Sequence, residues 1–314
     1  MRTKKIFSVF LLILLTLFYL SCARQKQQII IFHGAALAPV IENIKPIAER
    51  NGFEIIAEAS GSQVACRKIT ELGRSCDLLI LADASMINTL CKDTCKWRID
   101  FASDEIVLGV GVRAPWVTDA ENYWHEVILR EGTRLARVNE NLSPMGYRTI
   151  FVLQLAEKLY NKPNLLSEFM KKCDVVVDDT LKLPPLLKSG EVDYAFIFRS
   201  TAWTHDIRHI PLDKKINLGD ETLSYKDAVF ILQTRTAKGI TETEVKGEVI
   251  TWTLSIPVSA ISGKSISFVK FFLANINEVL CENALKPLSH PHFYGDLETH
   301  KKIFNDTLYK GILE

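Results

Sequence analysis

The sequence predicts an α/β fold in two lobes, each an open, mostly parallel sheet flanked by helices, with the chain crossing between the lobes twice. Three observations lead there. Apolar, β-branched runs alternate with segments whose apolar residues recur at helical spacing, which is the strand–turn–helix order of a parallel sheet. That order occurs three times before residue 91, is interrupted, and resumes near residue 105. The chain of 314 residues is also longer than a single core usually serves. Residues 28–104 with 211–314 are therefore assigned to lobe one and residues 105–210 to lobe two, with crossings near 102–106 and again around 210–247.

The elements follow in order. Residues 28–33 form the first strand, and Gly34, Ala35 and Ala36 turn the chain into a helix over 37–51, ended by Gly52. Residues 53–59 are the next strand, 60–62 a turn, 64–72 a helix ended by Gly73, 77–81 a third strand and 85–90 a short helix. In the second unit, strand 105–112 leads to helix 123–130, strand 134–139, loop 140–145 and a long helix over 146–160, broken at Lys162-Pro163. A short strand at 175–177 precedes a helix over 183–189, whose Pro184 and Pro185 fit only its first turn. Strand 192–198 closes this unit. Strand 248–256 and helix 264–280 return to the pattern of lobe one. Ligands of open parallel sheets sit at the carboxyl ends of strands, here residues 33–37, 60–62 and 82–84.

The start of the chain predicts export. Arg2, Lys4 and Lys5 precede an uncharged apolar run over 6–20, the pattern of a secretory signal in residues 1–21. The run is short for a membrane span. Ser21 before Cys22 matches the cleavage site of a bacterial lipoprotein, although Tyr19 replaces the usual leucine; cleavage would free Cys22 to carry lipid and tether the protein to a membrane. An uncleaved anchor is the alternative. The chain has 38 basic and 37 acidic residues, and residues 1–21 hold three of the basic ones, leaving 35 against 37, a net of −2. Such balance excludes a nucleic-acid binder, which needs a basic stripe to displace counterions. Six cysteines follow Cys22, many for an exported protein unless paired. A Cys66–Cys76 bridge is expected, tying helix 64–72 to the next strand. Cys91 and Cys95 form a second bridge or remain buried thiols, lacking the partners of a zinc site.

A likeness emerges from Phe32-His33 with Leu37, Glu58-Ala59 with Gly61-Ser62, residues 67–74, Ala82-Asp83, Pro144 with Gly146-Tyr147-Arg148, residues 154–157 with Tyr160-Asn161, and Ser189-Gly190-Glu191 with Asp193-Tyr194. Together these resemble the tungstate/molybdate-binding proteins of ABC importers, which have the type II periplasmic binding-protein fold. The match is collinear from about residue 29 to 200 and fainter to 280. The resemblance implies a monomeric protein, without a cofactor, that closes two lobes on a tetrahedral oxyanion and delivers it to an ABC permease. It implies ligand contacts from Ala35, Ala36, Ser62, Ser143, Gly146, Tyr147 and Tyr194. Helix N-termini bind anions through amides with no intrahelical acceptor, so the chemistry needs no formal positive charge.

This sequence departs from the family at several positions. Gly34, Ala35 and Ala36 stand where the family has Ala-Gly-Ser, losing a hydroxyl. Ser143 replaces an Asp of the tungstate-type site and Met145 its Cys; near Thr180, Asp178 and Asp179 are possible replacement acids. Four-coordinate oxyanion binding is therefore expected rather than completion of a six-coordinate metal centre. A protein that kept the fold, lost the site and serves as sensor or docking module is the second reading. An enzyme is the third; its candidates would be His33, His205 with His209 at i, i+4, and His290 with His292. No Gly-x-Ser-x-Gly elbow or phosphate loop occurs, so no catalysis is expected.

Overall fold

The computed structural model describes residues 26–236, 239–295 and 301; the expected signal (1–21) and lipid site (Cys22) lie outside them. Among the described residues no helix is long and apolar enough to cross a membrane.

The chain begins with β1 (Gln27–Gly34), α1 (Ala38–Arg50), β2 (Phe53–Ser60), α2 (Ser62–Thr70), β3 (Leu78–Leu81), α3 (Ser85–Thr89) and β4 (Arg98–Asp104). It crosses into β5 (Ile106–Val110), α4 (Val117–Val127), β6 (Leu135–Val138), α5 (Pro144–Leu159), α6 (Leu165–Lys172), β7 (Val175–Val177), α7 (Leu183–Ser189), β8 (Tyr194–Phe198), α8 (Arg199–Thr204) and β9 (His209–Pro211). A hairpin of β10 (Val229–Thr236) and β11 (Gly239–Lys246) follows, then β12 (Ile250–Ser255), α9 (Gly263–Glu282) and β13 (Lys286–Tyr294). One sheet has the order β13-β4-β12-β3-β1-β2 and the other β7-β6-β8-β5-β9. This is the two-lobed α/β architecture that the sequence predicts.

The sheets are mixed rather than mostly parallel. β1, β2 and β3 pair in parallel, as do β6, β7 and β8, because helices carry those crossovers. The strands at the crossing run out of one lobe and back, so β4 with β12 and β5 with β8 and β9 pair antiparallel. The two connecting segments lie side by side: the Ile106 amide donates to the Asn217 carbonyl and the Ile250 amide to the Leu218 carbonyl, each at 2.8 Å.

Side-chain pattern explains the packing. Val40, Ile41, Ile44 and Ala48 recur at helical spacing and turn one face of α1 into the core. Phe268 and Phe272 of α9 meet Phe53 and Phe101 edge-on, at 5.3 and 5.6 Å between centroids; burying each such ring contributes roughly 2–3 kcal/mol. A capping box of Ser262 and Ser265 sets the start of α9.

Two expectations need correction. Cys66 and Cys76 are both free, buried thiols. The helix expected at 123–130 begins earlier, at Val117, and Tyr123 is a non-helical kink inside it. The segment around the second crossing contains the β10–β11 hairpin, held to α5 by reciprocal Gln154–Val229 bonds of 2.9 and 3.0 Å.

Candidate functional site

Five chain turns face one another between the lobes. From the first sheet, β1 ends at Gly34 and passes through a 3-10 turn, Ala35–Leu37, into α1. β2 ends at Ser60 and enters α2 through Gly61, while β3 ends before Ala82 and Asp83. From the second sheet come the start of α5 at Ser143–Pro144 and a 3-10 turn at Thr180–Lys182. A cavity of about 430 Å³ lies between some of these turns, lined on one side by Ala35, Ser60 and Gly61 and on the other by Leu142, Asp179 and Lys182, while Ala36, Ser62, Ser143, Gly146 and Tyr147 are not part of its lining.

Ser62 is buried, and its Oγ accepts the Ala82 amide at 3.2 Å. That leaves the hydroxyl proton free for an acceptor. Gly61, not Ser62, is the N-cap of α2. A methyl at Gly61 would strike the Leu142 carbonyl, so the glycine is what lets the lobes meet here. Across the gap, Ser143 is the N-cap of α5 without a side-chain capping bond. Its Oγ lies 3.4 Å from that of Thr180, and both residues are buried. Gly146 serves the backbone: a Cβ there would come within 2.5 Å of the Glu140 main chain, so only glycine admits the fold of loop 139–142 against the helix.

A buried ion pair spans the closure. Asp83, following β3, accepts from the Tyr147 hydroxyl and pairs with Arg148 at 3.2 Å, and Arg148 also donates to the Ala82 carbonyl at 2.6 Å. All three side chains are at least nine-tenths buried. Burial and the neighbouring Asp83 charge raise the Tyr147 phenol well above its usual value. Tyr147 is thus an interlobe contact as well as a neighbour of the helix start.

The acids have separate tasks. Asp179 accepts the Leu181 amide at 2.8 Å and caps the 3-10 turn, and burial raises its carboxyl pKa. Asp178 is exposed and paired with Lys182 at 2.6 Å, a hydrogen bond that lowers its pKa. Lys68, which sequence reasoning passed over, buries its ammonium 3.0 Å from Ser60 Oγ and 2.8 Å from Glu58. Its apolar neighbours at 64, 65 and 69 gave the helix away, but a lysine on such a face reads as surface.

Other expected positions lie elsewhere. Tyr194 begins β8, at the opposite end of the sheet from the turns, and its hydroxyl donates to the Pro115 carbonyl. Its neighbour Asp193 is buried and grips the Arg134 side chain at 2.5 Å. His33 is buried, within 2.9 Å of the Gly34 carbonyl, and desolvation lowers its pKa, so it stands as a neutral core imidazole. His205 ends α8 and His209 begins β9, so the two share no helical face. His290 and His292 lie on the edge strand β13. Among the described residues, no group of three His, Cys, Asp or Glu side chains could hold a metal ion.

Comparison with known proteins fits this geometry. The model of the family described as bacterial extracellular solute-binding protein matches residues 29–240. A solute-binding protein of Petrotoga mobilis is 30% identical over 294 residues, covering 90% of this chain and 91% of that one. The molybdate/tungstate-binding protein WtpA of Thermococcus kodakarensis is 26% identical over 309 residues, covering 88% and 86%. The periplasmic molybdate-binding protein of Azotobacter vinelandii superimposes with a TM-score of 0.57 at 12% identity, covering 82% of this chain and 98% of that one, which extends the likeness to the fold.

Proposed function

The chain belongs to the bacterial extracellular solute-binding protein family, and on that premise we propose that it captures a tetrahedral oxyanion, tungstate or molybdate, between its lobes for an ABC permease. The observation that supports this reading is the cavity between turns of the two sheets, lined by Ala35, Ser60 and Gly61 on one side and Leu142, Asp179 and Lys182 on the other, with Ser62, Ser143 and Thr180 one residue away from lining positions. The amides of Ala35 and Ala36, the Ser62 hydroxyl with its free proton, and the Ser143–Thr180 pair supply donors without a net charge. Such a cage selects a small, proton-free anion, because a donor set has nothing to offer a ligand's own hydrogen. Asp178 and Asp179 are engaged by Lys182 and by the Leu181 amide, so the ligand is held as a four-coordinate oxyanion rather than by added carboxylate coordination. The protein works outside the cytoplasm, as a monomer tethered through a lipid on Cys22.

Calorimetric titration with tungstate, molybdate, sulfate and phosphate tests the reading. Tight binding of the first two, with sulfate and phosphate weaker, is expected. Heat from none of the four overturns it and favours the docking or sensor role.

A further inference from the structure

Building on the oxyanion reading above, we infer that Ser60 contacts the anion directly and that Lys68, buried behind it, positions that hydroxyl and lends the site a positive charge. Ser60 is the last residue of β2 and lines the cavity, whereas Ser62, two residues on, does not. Its hydroxyl is already directed by a neighbour. The Lys68 ammonium lies 3.0 Å from Ser60 Oγ and, with hydrogens but no lone pair to offer, donates to it. That is the one hydrogen bond of this hydroxyl among the described residues. The Ser60 proton is left for a ligand.

The charge behind Ser60 is not cancelled. Glu58 pairs with Lys68 at 2.8 Å, but Arg74 holds the same carboxylate through bonds of 2.5 and 2.9 Å. Both cations also lie over the Phe32 ring, at 5.5 and 4.9 Å from its centroid. The bonds from Arg74 and Lys68 keep Glu58 ionised, its pKa lowered to about 2. One carboxylate against two cations leaves a single positive charge in the cluster. Arg74 is exposed and screened by water and salt, while Lys68 is buried. The cation on the cavity wall, Lys182, is exposed and engaged by Asp178 at 2.6 Å. Lys68 is therefore the charge that offsets Asp179, the acid on the opposite wall, when an anion enters. An apolar side chain would fill that face of α2 without the cost of burying an ammonium whose counter-ion is shared.

The consequence is a preference set by charge. Coulomb attraction scales with the charge of the ligand, so a fixed ammonium behind a neutral donor favours a tetrahedral dianion over a monoanion of the same shape. Ser60 supplies the contact and Lys68 the discrimination.

Tungstate and perrhenate, tetrahedral anions of similar size carrying two charges and one, are the probes, the weaker read by displacing the stronger in calorimetric titration. Ser60→Ala should raise the Kd of tungstate about tenfold. Lys68→Met, in which Glu58 keeps its bonds to Arg74, should cost about tenfold for tungstate but only about threefold for perrhenate, since the attraction to the dianion is twice as large. Lys68→Arg keeps the charge and should keep the wild-type ratio of the two affinities. Ser60→Ala removes a single half-buried hydroxyl, so it tests the contact even where Lys68→Met does not fold. A merely structural lysine would weaken both ligands equally in Lys68→Met. That result, or an unchanged tungstate Kd in Ser60→Ala, overturns the inference and leaves the oxyanion reading standing. A wild type that binds neither anion strikes the oxyanion reading itself, and the roles of Ser60 and Lys68 with it.

Discussion

Ser62 shows how a single hydroxyl is prepared for an anion. Its oxygen is occupied by the Ala82 amide, and in the proposed function its proton is what the ligand accepts. Ser62→Ala should weaken tungstate binding by about 1–2 kcal/mol, the scale of one hydrogen bond to a charged partner, as read by calorimetry. Folding should weaken as well, since the buried Ala82 amide is left without an acceptor. An unchanged Kd would remove Ser62 from the site. The turn at Gly61–Ser62 was legible in the sequence as the link from β2 to α2, while the role of Ser62 toward a ligand came from the family resemblance alone. Tyr194 was misleading for a physical reason: the Asp193-Tyr194 pair sits at the amino end of β8, where Asp193 fastens Arg134 and Tyr194 fastens Pro115. A short motif carries no sign of which end of its strand it occupies.

The crossover from β4 to β5 concentrates the titrating chemistry of the hinge. Asp104, the last residue of β4, is enclosed and accepts the Ser200 hydroxyl at 2.5 Å and the Glu105 amide at 2.8 Å, with the Arg199 charge close by. Burial outweighs those partners and raises its carboxyl pKa to about 6. The folded state then holds a proton that the unfolded chain, with an ordinary aspartate near 3.9, releases earlier. Asp104 therefore adds stability below about pH 4, and loses it as pH rises through about 6. In urea unfolding from pH 4 to 7, the stability difference between wild type and Asp104→Asn should drift by roughly 3 kcal/mol across that window. A constant difference would show that Asp104 titrates normally. Elements such as β1, α1 and β2 were legible because periodicity and turn residues agree. β13 was not assigned: an edge strand tolerates its prolines at 287 and 291, and its register breaks between Pro287 and His292. The β10–β11 hairpin was passed over because its face alternates too weakly, with Ile231 and Ile240 both exposed.

In the proposed function, closure and capture are one event. A ligand shifts the open–closed equilibrium by no more than its preference for the closed form, and the interlobe contacts set the intrinsic balance. One position isolates that balance. Gly61 has an ordinary φ of −57° and ψ of 145°, so alanine is tolerated by the backbone; the obstacle is the Leu142 carbonyl on the opposing lobe. Gly61→Ala should therefore leave each lobe folded while holding the two apart. Affinity should fall at least about tenfold, equivalent to roughly 1.4 kcal/mol. The radius of gyration from solution scattering should remain at its ligand-free value when saturating tungstate is added, whereas the wild type contracts. The Asp83–Arg148 pair joins the same two lobes at 3.2 Å, so holding them apart should strain it as well. Contraction of the variant to the wild-type radius, with undiminished affinity, would mean that the turn at Gly61 does not govern closure.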